Sequence, residues 1–278
     1  MKLGFHISIA GGFQYVLERA QKRNCETIQL FSRNPRGWKY KEIDEEDCTI
    51  FKKQMRTNNI SPVFVHVPYL INLGSEKKEL FEKSIDSLVL DLLRAEKVGA
   101  QYLITHCGSN PNTEAGIQLM VDAISRTFSR VNNRVILLIE NTAGSGNEFG
   151  FRFEHLKLIL DGVASNNLGV VLDTAHAFAA GYDLRTKETV DATIQEFDRI
   201  IGIKNLHLVH FNDSKTELGV KSDRHWHIGQ GKIGKGMGFI INHPALNHLP
   251  FIMETPRTDT TEDLLNMRVA RKLVKKVS

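Results

Sequence analysis

The chain has 278 residues, of which 41% are hydrophobic and 24% charged, with a formal net charge of +4. This composition is typical of a globular protein, and the mild charge excludes a general basic coat, so a polyanion would have to be bound by a local patch. Three widely spaced cysteines without a CxxC pair argue against a disulfide framework or a thiolate zinc site. Without a signal peptide or an apolar run of about 20 residues, we expect a cytoplasmic protein with no membrane partner.

Eight short apolar runs recur along the chain and predict eight β-strands. Four of the stretches between them, 80–93, 117–131, 156–163 and 190–201, repeat apolar residues at helical spacing. Because no linker or composition shift divides the chain, we predict one closed (β/α)8 barrel, a TIM barrel, over residues 1–278. The runs are LGFHI (3–7), TIQLF (27–31), VFVHV (63–67), YLITH (102–106), VILLIE (135–140), GVVLD (169–173), LHLVHF (206–211) and FIMET (251–255).

The sixth run ends in Asp173, and His176 follows three residues later. A strand buried on both faces ends where the core ends, so both side chains are expected at the rim of the sheet. Two interpretations are open for this pair. Asp173 caps the next turn beside a packed histidine, or the two residues belong to a metal or acid–base site.

The other strands favour the second interpretation, because the active site of a TIM barrel lies at the carboxyl ends of its strands. An extended segment also places Asp223 and His225 two residues apart, on one side of the chain. Singly, each residue fits a packed histidine or a surface ion pair, but together the carboxylates and imidazoles need cations among them. The strand-end candidates are His66, His106, Glu140, Asp173 with His176, His210 with Asp213 near it, and Glu254.

Histidine and carboxylate ligands without cysteine suit zinc, iron or manganese, and the share of imidazole favours zinc with open coordination. At about three protein ligands per ion, the candidates are consistent with two or three ions that share a bridging carboxylate. Clustered metal ions favour phosphodiester hydrolysis, because they activate water and stabilise the charge of the transition state.

The chain resembles the endonuclease IV family, the metal-dependent apurinic/apyrimidinic DNA repair endonucleases, over nearly its whole length. The resemblance implies a TIM-type barrel with three zinc ions, for which Mn²⁺ or Fe²⁺ are possible substitutes. The segments that carry it are GFHISIAGG at the start, HVPYLINLG (66–74), THCGS (105–109), IENTAGSG (139–146), VLDTAHAFAAGYDL (171–184), HFNDSK (210–215), DRHWHIGQGKIG (223–234) and ETP (254–256).

The resemblance also implies a ligand set in which Glu140 bridges two ions. One ion is held by His66, His106 and Glu140, the second by Glu140, Asp173, His210 and Glu254, and the third by His176, Asp223 and His225. Two departures lie close to the third group: Gln230 stands where the family usually has Glu, and Trp226 occupies a variable position. Neither departure removes a ligand.

The implied reaction is incision of double-stranded DNA on the 5′ side of an abasic site, which leaves a 3′-hydroxyl and a 5′-deoxyribose-phosphate. Removal of blocked 3′ ends is implied as well. Glu140 is the expected catalytic residue, because a bridging carboxylate helps to orient a zinc-activated hydroxide for in-line attack. We expect the protein to act as a monomer.

The loop after the second strand, SRNPRGWKYK, is expected at the rim beside the metal ligands, and its mixture of basic and aromatic residues suits nucleic acid. These residues are Arg33, Arg36, Lys39 and Lys41 with Trp38 and Tyr40. The resemblance implies that Arg36 enters the DNA groove, and that Tyr69 and Leu70 wedge into the base stack as the abasic nucleotide turns out. A nucleotide without a base flips at low cost. The alternatives are a solvated loop for Arg36 and ordinary loop packing for Tyr69 and Leu70.

Two other classes of function remain open. A sugar isomerase or epimerase on a related barrel needs only Glu140, Asp173, His210 and Glu254, which leaves the other five candidates and the basic loop unexplained. A nucleic-acid-binding protein without catalysis accounts for the loops but not for the ring of ligands.

Overall fold

The computed structural model describes residues 1–256 and 259–275. Eight parallel strands close into a barrel, in which β1 is joined to β10 on one side and to β2 on the other. Two further strands pair antiparallel in a ribbon beyond β7. The strands are β1 (Lys2–His6), β2 (Thr27–Phe31), β3 (Val63–His66), β4 (Tyr102–His106), β5 (Ile136–Glu140), β6 (Leu168–Asp173), β7 (Leu206–His210), β8 (Asp213–Ser214), β9 (His225–Trp226) and β10 (Pro250–Met253).

Helices surround the barrel and connect its strands. The predicted helical stretches correspond to α3, α4, α5 and α7, and the eight predicted strands are all present, so the TIM barrel is confirmed. Among the described helices, none combines the length and apolar character needed to cross a bilayer. The helices are α1 (Val16–Lys22), α2 (Glu45–Thr57), α3 (Lys78–Lys97), α4 (Thr113–Arg130), α5 (Phe153–Val163), α6 (Thr174–Ala180), α7 (Lys187–Ile200), α8 (Gly236–Ile241) and α9 (Thr260–Leu273).

One apolar layer inside the barrel determines where the polar side chains at its mouth are placed. Six consecutive barrel strands each contribute one fully buried residue to it: Phe64, Ile104, Leu138, Val171, Leu208 and Ile252. Because side chains alternate along a strand, the residue two positions further on faces the same interior. Those next residues are His66, His106, Glu140, Asp173, His210 and Glu254.

Four of the predicted strands extend slightly too far. The strands end at His6, His66, His210 and Met253, whereas the apolar runs continue for one or two residues. Glu254 therefore lies just past β10, although its side chain still faces the other ligands. The excess arises because Ile7, Val67 and Phe211, just past their strands, are buried and still donate a backbone hydrogen bond to the neighbouring strand, so they look like strand residues in the sequence.

Candidate metal centre and DNA-binding rim

Glu140, at the end of β5, is the residue on which the site converges. Its Oε2 lies 3.4 Å from His66 Nε2 and 3.2 Å from His106 Nε2. Its Oε1 lies 2.8 Å from His210 Nδ1 and 3.4 Å from His176 Nδ1. The side chain is fully buried, so its two oxygens face two different sets of imidazoles across the barrel mouth.

The predicted ligands form three groups in which the donor atoms lie within 4.8 Å of one another. Glu140 belongs to two groups, and Asp173 also belongs to two. Asp223 joins the third group through Oδ1, which lies 3.3 Å from His176 Nε2 and 3.4 Å from His225 Nε2. The groups are His66, His106 and Glu140; Glu140, Asp173, His210 and Glu254; and Asp173, His176 and His225.

The structure shows the cap that the first interpretation of Asp173 requires, and it also brings Asp173 and His176 into a group that could hold a metal ion, as the second requires. Asp173 is the N-cap of α6, because its Oδ1 accepts a hydrogen bond of 2.8 Å from the His176 backbone N–H. Its Oδ2 lies 3.5 Å from His225 Nε2 and accepts a hydrogen bond of 2.7 Å from Asn212 Nδ2. The cap fixes the carboxylate and starts the short helix that carries His176 into the site.

Four imidazoles each have one ring nitrogen occupied outside the centre. His66, His176 and His225 donate through Nδ1 to the backbone carbonyls of Val67, Asn141 and Glu254, at 2.7, 2.9 and 3.2 Å. His210 is reversed, since its Nε2 lies 2.7 Å from Gln29 Oε1 and its Nδ1 faces Glu140. Each ring therefore turns its other nitrogen toward the centre, the orientation of metal-bound histidine.

The electrostatics of the centre call for positive charge among the ligands. Burial alone would raise the pKa of Glu140, but the nearby His210 and His106 hold it well below its ordinary value. Burial would lower the pKa of His210, which Glu140 and Glu254 nevertheless raise to about 9. Protonated imidazoles thus stabilise the carboxylates as divalent ions would, so the donor set fits ions of the zinc, iron or manganese class.

The third group shows the same need for a cation. The Nε2 atoms of His176 and His225 approach each other to 3.3 Å. Two neutral imidazoles cannot face their lone pairs at this distance without a proton or a metal ion nearby. Burial would raise the pKa of Asp223, but His176 lowers it below its ordinary value.

Two polar residues inside the barrel, Gln29 and His6, were missed by the sequence analysis. The Gln29 amide group donates to Glu254 Oε1 at 2.6 Å and to His6 Nδ1 at 2.9 Å. His6 Nδ1 also lies 3.4 Å from Glu254 Oε1. A polar residue within the apolar run TIQLF, and a histidine that ends its strand as His66 ends β3, were the available signals.

A cavity of about 510 Å³ opens above the centre. Glu254 and several of the histidines line it, together with the exposed Arg224, whose guanidinium donates to the Asp223 carbonyl oxygen at 2.7 Å. Tyr69 stands at its wall with 67% of its surface exposed, and its ring lies 5.3 Å from that of Phe31. Burial raises the pKa of the Tyr69 hydroxyl and the charge of Glu254 raises it further, whereas the charge of Arg36 lowers it.

The basic loop is divided between an exposed tip and a buried base. Arg36 is exposed, and its backbone N–H donates to Asn34 Oδ1 at 3.1 Å. Arg33, which the sequence grouped with the basic residues of the rim, instead points inward and pairs with the fully buried Asp91 of α3 through two hydrogen bonds of 2.8 Å. The interpretation of Arg33 as a rim charge was wrong, because an oppositely charged partner on α3 draws it into the interior.

Asp213 is not part of a ligand group, although it was noted near His210. Its carboxylate accepts hydrogen bonds from the backbone N–H groups of Ser214, Gly231, Ile233 and Gly234 and organises the loop after β9.

The two departures from the family pattern lie in and after β9. The Lys215 ammonium nitrogen lies 4.5 Å from the centroid of the Trp226 ring. Gln230 is exposed in the turn after His227.

Comparison with known proteins supports the same class. A family model described as a xylose isomerase-like TIM barrel matches residues 17–275. A probable endonuclease 4 from Methanosphaerula palustris is 42% identical over 280 residues, 98% of each chain. Endonuclease IV from Thermus thermophilus superposes with a TM-score of 0.89 at 37% identity, covering 98% of each chain. A D-tagatose 3-epimerase-like protein shares the fold alone, with a TM-score of 0.75, 15% identity and coverage of 98% of this chain and 97% of the other.

The barrel and its ring of histidines and carboxylates define a TIM-barrel enzyme of the xylose isomerase-like class, with several metal-ligand groups at one mouth. Within that class, the full-length identity places the chain in a narrower group. It belongs to the endonuclease IV family.

Proposed function

We propose that this protein hydrolyses the phosphodiester bond on the 5′ side of abasic sites in double-stranded DNA, and that it also removes blocked 3′ ends. The observation that carries the proposal is the position of Glu140, whose two oxygens face separate imidazole groups at one mouth. A single-ion sugar isomerase has no use for the additional His66, His106, His176, Asp223 and His225.

We assign three zinc ions to this mouth. His66, His106 and Glu140 would hold the first, Glu140, Asp173, His210 and Glu254 the second, and His176, Asp223 and His225 the third, with Asp173 also beside this third set. Zinc fits the large share of imidazole better than Mn²⁺ or Fe²⁺ does. Bound divalent ions supply Lewis-acid activation of water and stabilise the charge that develops on the phosphate.

The chain's own residues orient the reaction. Glu140 positions the attacking water where its two ligand groups meet. His210 links Glu140 to Glu254, because its Nδ1 lies 2.8 Å from Glu140 Oε1 and 3.4 Å from Glu254 Oε2. Arg224, on the cavity wall, is placed to neutralise a phosphate oxygen. The bond between phosphorus and the 3′-oxygen breaks, and water supplies the proton that the 3′-hydroxyl gains.

The rim provides the DNA contacts. Tyr69 exposes an aromatic face beside the cavity, and Leu70 follows it on the same loop. An aromatic and an aliphatic side chain at this place can fill the space that an extruded abasic nucleotide leaves in the stack. Arg36 reaches the groove from the neighbouring loop. We further propose that one catalytic domain spans the chain and acts as a monomer in the cytoplasm.

A nicking assay with the Glu140→Gln variant tests the proposal. We expect the wild-type protein to nick a duplex that contains one tetrahydrofuran abasic analogue, and a chelator to abolish nicking. Glu140→Gln should lose roughly 100-fold or more in rate while the duplex is still bound, because the bridging charge is lost and the DNA-binding loops are unchanged. Glu114→Gln, at an exposed site on α4, is the matched control. Full activity in Glu140→Gln would contradict the assignment.

A further inference from the structure

Gln29 occupies an unusual position for an uncharged side chain. It lies on β2, fully buried, and its amide contacts residues from three other barrel strands or strand ends. Its Oε1 lies 2.7 Å from His210 Nε2, and its Nε2 lies 2.6 Å from Glu254 Oε1 and 2.9 Å from His6 Nδ1. The amide oxygen accepts one hydrogen bond and the NH₂ group donates two.

Only one orientation of the amide satisfies all three contacts. With the group reversed, the amide oxygen would face the Glu254 carboxylate, where two acceptors would repel each other. In the observed orientation His210 must carry a proton on Nε2, so Nδ1, 2.8 Å from Glu140 Oε1, is the nitrogen that can bind an ion once its own proton is displaced. His6 must accept at Nδ1, so its neutral ring carries the proton on Nε2.

We propose that Gln29 is a positioning residue of the metal centre, which fixes the tautomer of His210 and holds the Glu254 carboxylate in its ligating orientation. Of His66, His176, His225 and His210, only His210 turns Nδ1 inward and has a side chain, instead of a backbone carbonyl, as its outer partner. A backbone carbonyl holds the rings of His66, His176 and His225 wherever the fold is intact. His210 depends on the single side chain that β2 supplies.

Gln29 also links the metal centre to the wall of the cleft. His6 lines the cavity above the ions, and its ring packs against Phe31 at 4.3 Å between centroids. Through its amide, Gln29 contacts His210 and Glu254 of one ligand group and also contacts His6 of the cavity wall. The proposal rests on the ligand assignment of His210 and Glu254 given under the proposed function.

Metal release tests the proposal directly. In Gln29→Met, which keeps the length of the side chain and removes both polar groups, we expect one of the bound ions to be lost to a competing chelator at about 10–100-fold weaker affinity. The ligand-field spectrum of the Co²⁺-loaded protein should change, because His210 and Glu254 no longer hold their orientations. For an abasic duplex, kcat should fall while KM stays within about twofold, since the rim loops are untouched.

Two further variants test whether Gln29 positions the ligands or only stabilises the fold. Gln101→Leu removes the amide whose Oε1 accepts from the Val63 backbone N–H at the opposite end of the barrel, and it should leave metal affinity and the Co²⁺ spectrum as in the wild type. Gln29→Glu keeps the acceptor for His210 but places a carboxylate against Glu254, so it should also weaken one ion. The unfolding temperatures of the chelator-treated proteins show whether each variant folds.

The outcomes distinguish this proposal from the proposed function. A wild-type protein without several ions or nicking activity would overturn the proposed function. A wild-type protein with both, alongside a Gln29→Met variant that retains every ion at wild-type affinity with an unchanged Co²⁺ spectrum, would overturn the role of Gln29 alone.

Discussion

At the scale of single residues, several side chains of the centre perform two tasks with two different atoms. Asp173 caps α6 with Oδ1 and faces His225 with Oδ2. His176 donates through Nδ1 to a backbone carbonyl and turns Nε2 to Asp223. In each of these side chains one atom makes a structural hydrogen bond and another atom faces the candidate metal site. A substitution can therefore remove one of these two roles and keep the other.

Asp173→Asn and Asp173→Ala should separate capping from metal binding. Asparagine is as good an N-cap as aspartate, so Asp173→Asn should keep the cap on the His176 N–H and lose only the hydrogen bond that Oδ2 accepts from Asn212. Asp173→Ala should lose roughly 1 kcal/mol more, since the cap on the His176 N–H is gone. Both variants should lose metal and nicking activity. Denaturant unfolding after chelation, with elemental analysis before it, measures the difference; equal stability of the two variants would contradict the capping role.

The residues around the ligands were the hardest to predict from sequence. The nine candidate ligands could be picked out because histidine and carboxylate side chains stand out at or after the ends of apolar runs and in the segment 223–225. Asn141 and Asn212 could not, because an asparagine after a strand is ordinary loop composition. In the structure Asn141 Oδ1 accepts from the Asp173 N–H, and Asn212 Oδ1 accepts from the Glu254 N–H, so both amides fix strand ends that meet only after folding.

At the scale of elements, the loop after β2 is held by α3. Arg33 pairs with Asp91 and also contacts Ser87, one turn earlier on the same helix. Arg94 donates to the carbonyl oxygens of Ser32 and Lys41, at either end of the loop. These contacts fix the base of the segment that presents Arg36, and the sequence did not predict them, since they join residues far apart in the chain.

Asp91→Asn should loosen this loop without touching the metal centre. Removal of one partner from a buried ion pair costs about 3–5 kcal/mol, because Arg33 is left buried without its counter-charge. We expect a lower unfolding temperature and weaker binding of abasic duplex, with unchanged metal content. Asp86→Asn, an exposed residue of the same helix paired with exposed Arg130, should cost less than about 1 kcal/mol. Undiminished DNA binding in a folded Asp91→Asn protein would contradict the loop's dependence on α3.

Arg36→Ala tests the tip of the same loop. It should weaken binding of abasic duplex and reduce the slope of log K against log salt by about one, as expected for one phosphate contact. Arg56→Ala, an exposed arginine near the end of α2, is the matched control and should leave both quantities unchanged. Fluorescence anisotropy over a salt series measures them. If the two variants bind alike, Arg36 belongs to the solvated surface.

Helices were predicted correctly from the sequence where the spacing of apolar residues forms one clear stripe. The helices α3, α4, α5 and α7 present one apolar face to the barrel, and their spacing predicted them. The helix α6 is nearly buried all round, and α2 buries only Cys48, Phe51 and Met55 among charged residues, so neither shows a clear stripe. Both are defined by their caps, Asp173 and Asp44, and by contacts from the rest of the chain.

At the scale of the whole molecule, the barrel turns a scattered sequence pattern into one site. Each of six strands places a ligand two residues beyond the same apolar layer, so closure of the barrel brings residues from 66 to 254 within a few ångströms of Glu140. The sequence predicts this convergence because strand alternation and barrel closure are general rules. The sequence does not predict that a residue such as Asp173 lies in two of the ligand groups at once.

Elemental analysis of the purified protein, after removal of loosely bound metal, tests the central claim that this mouth binds a cluster of ions. With nine protein ligands and Glu140 shared, we predict about three zinc ions per chain. Glu140→Gln should bind fewer, whereas Glu114→Gln should match the wild type. A wild-type protein that holds a single ion, with Mn²⁺ or Mg²⁺ preferred, would contradict the account.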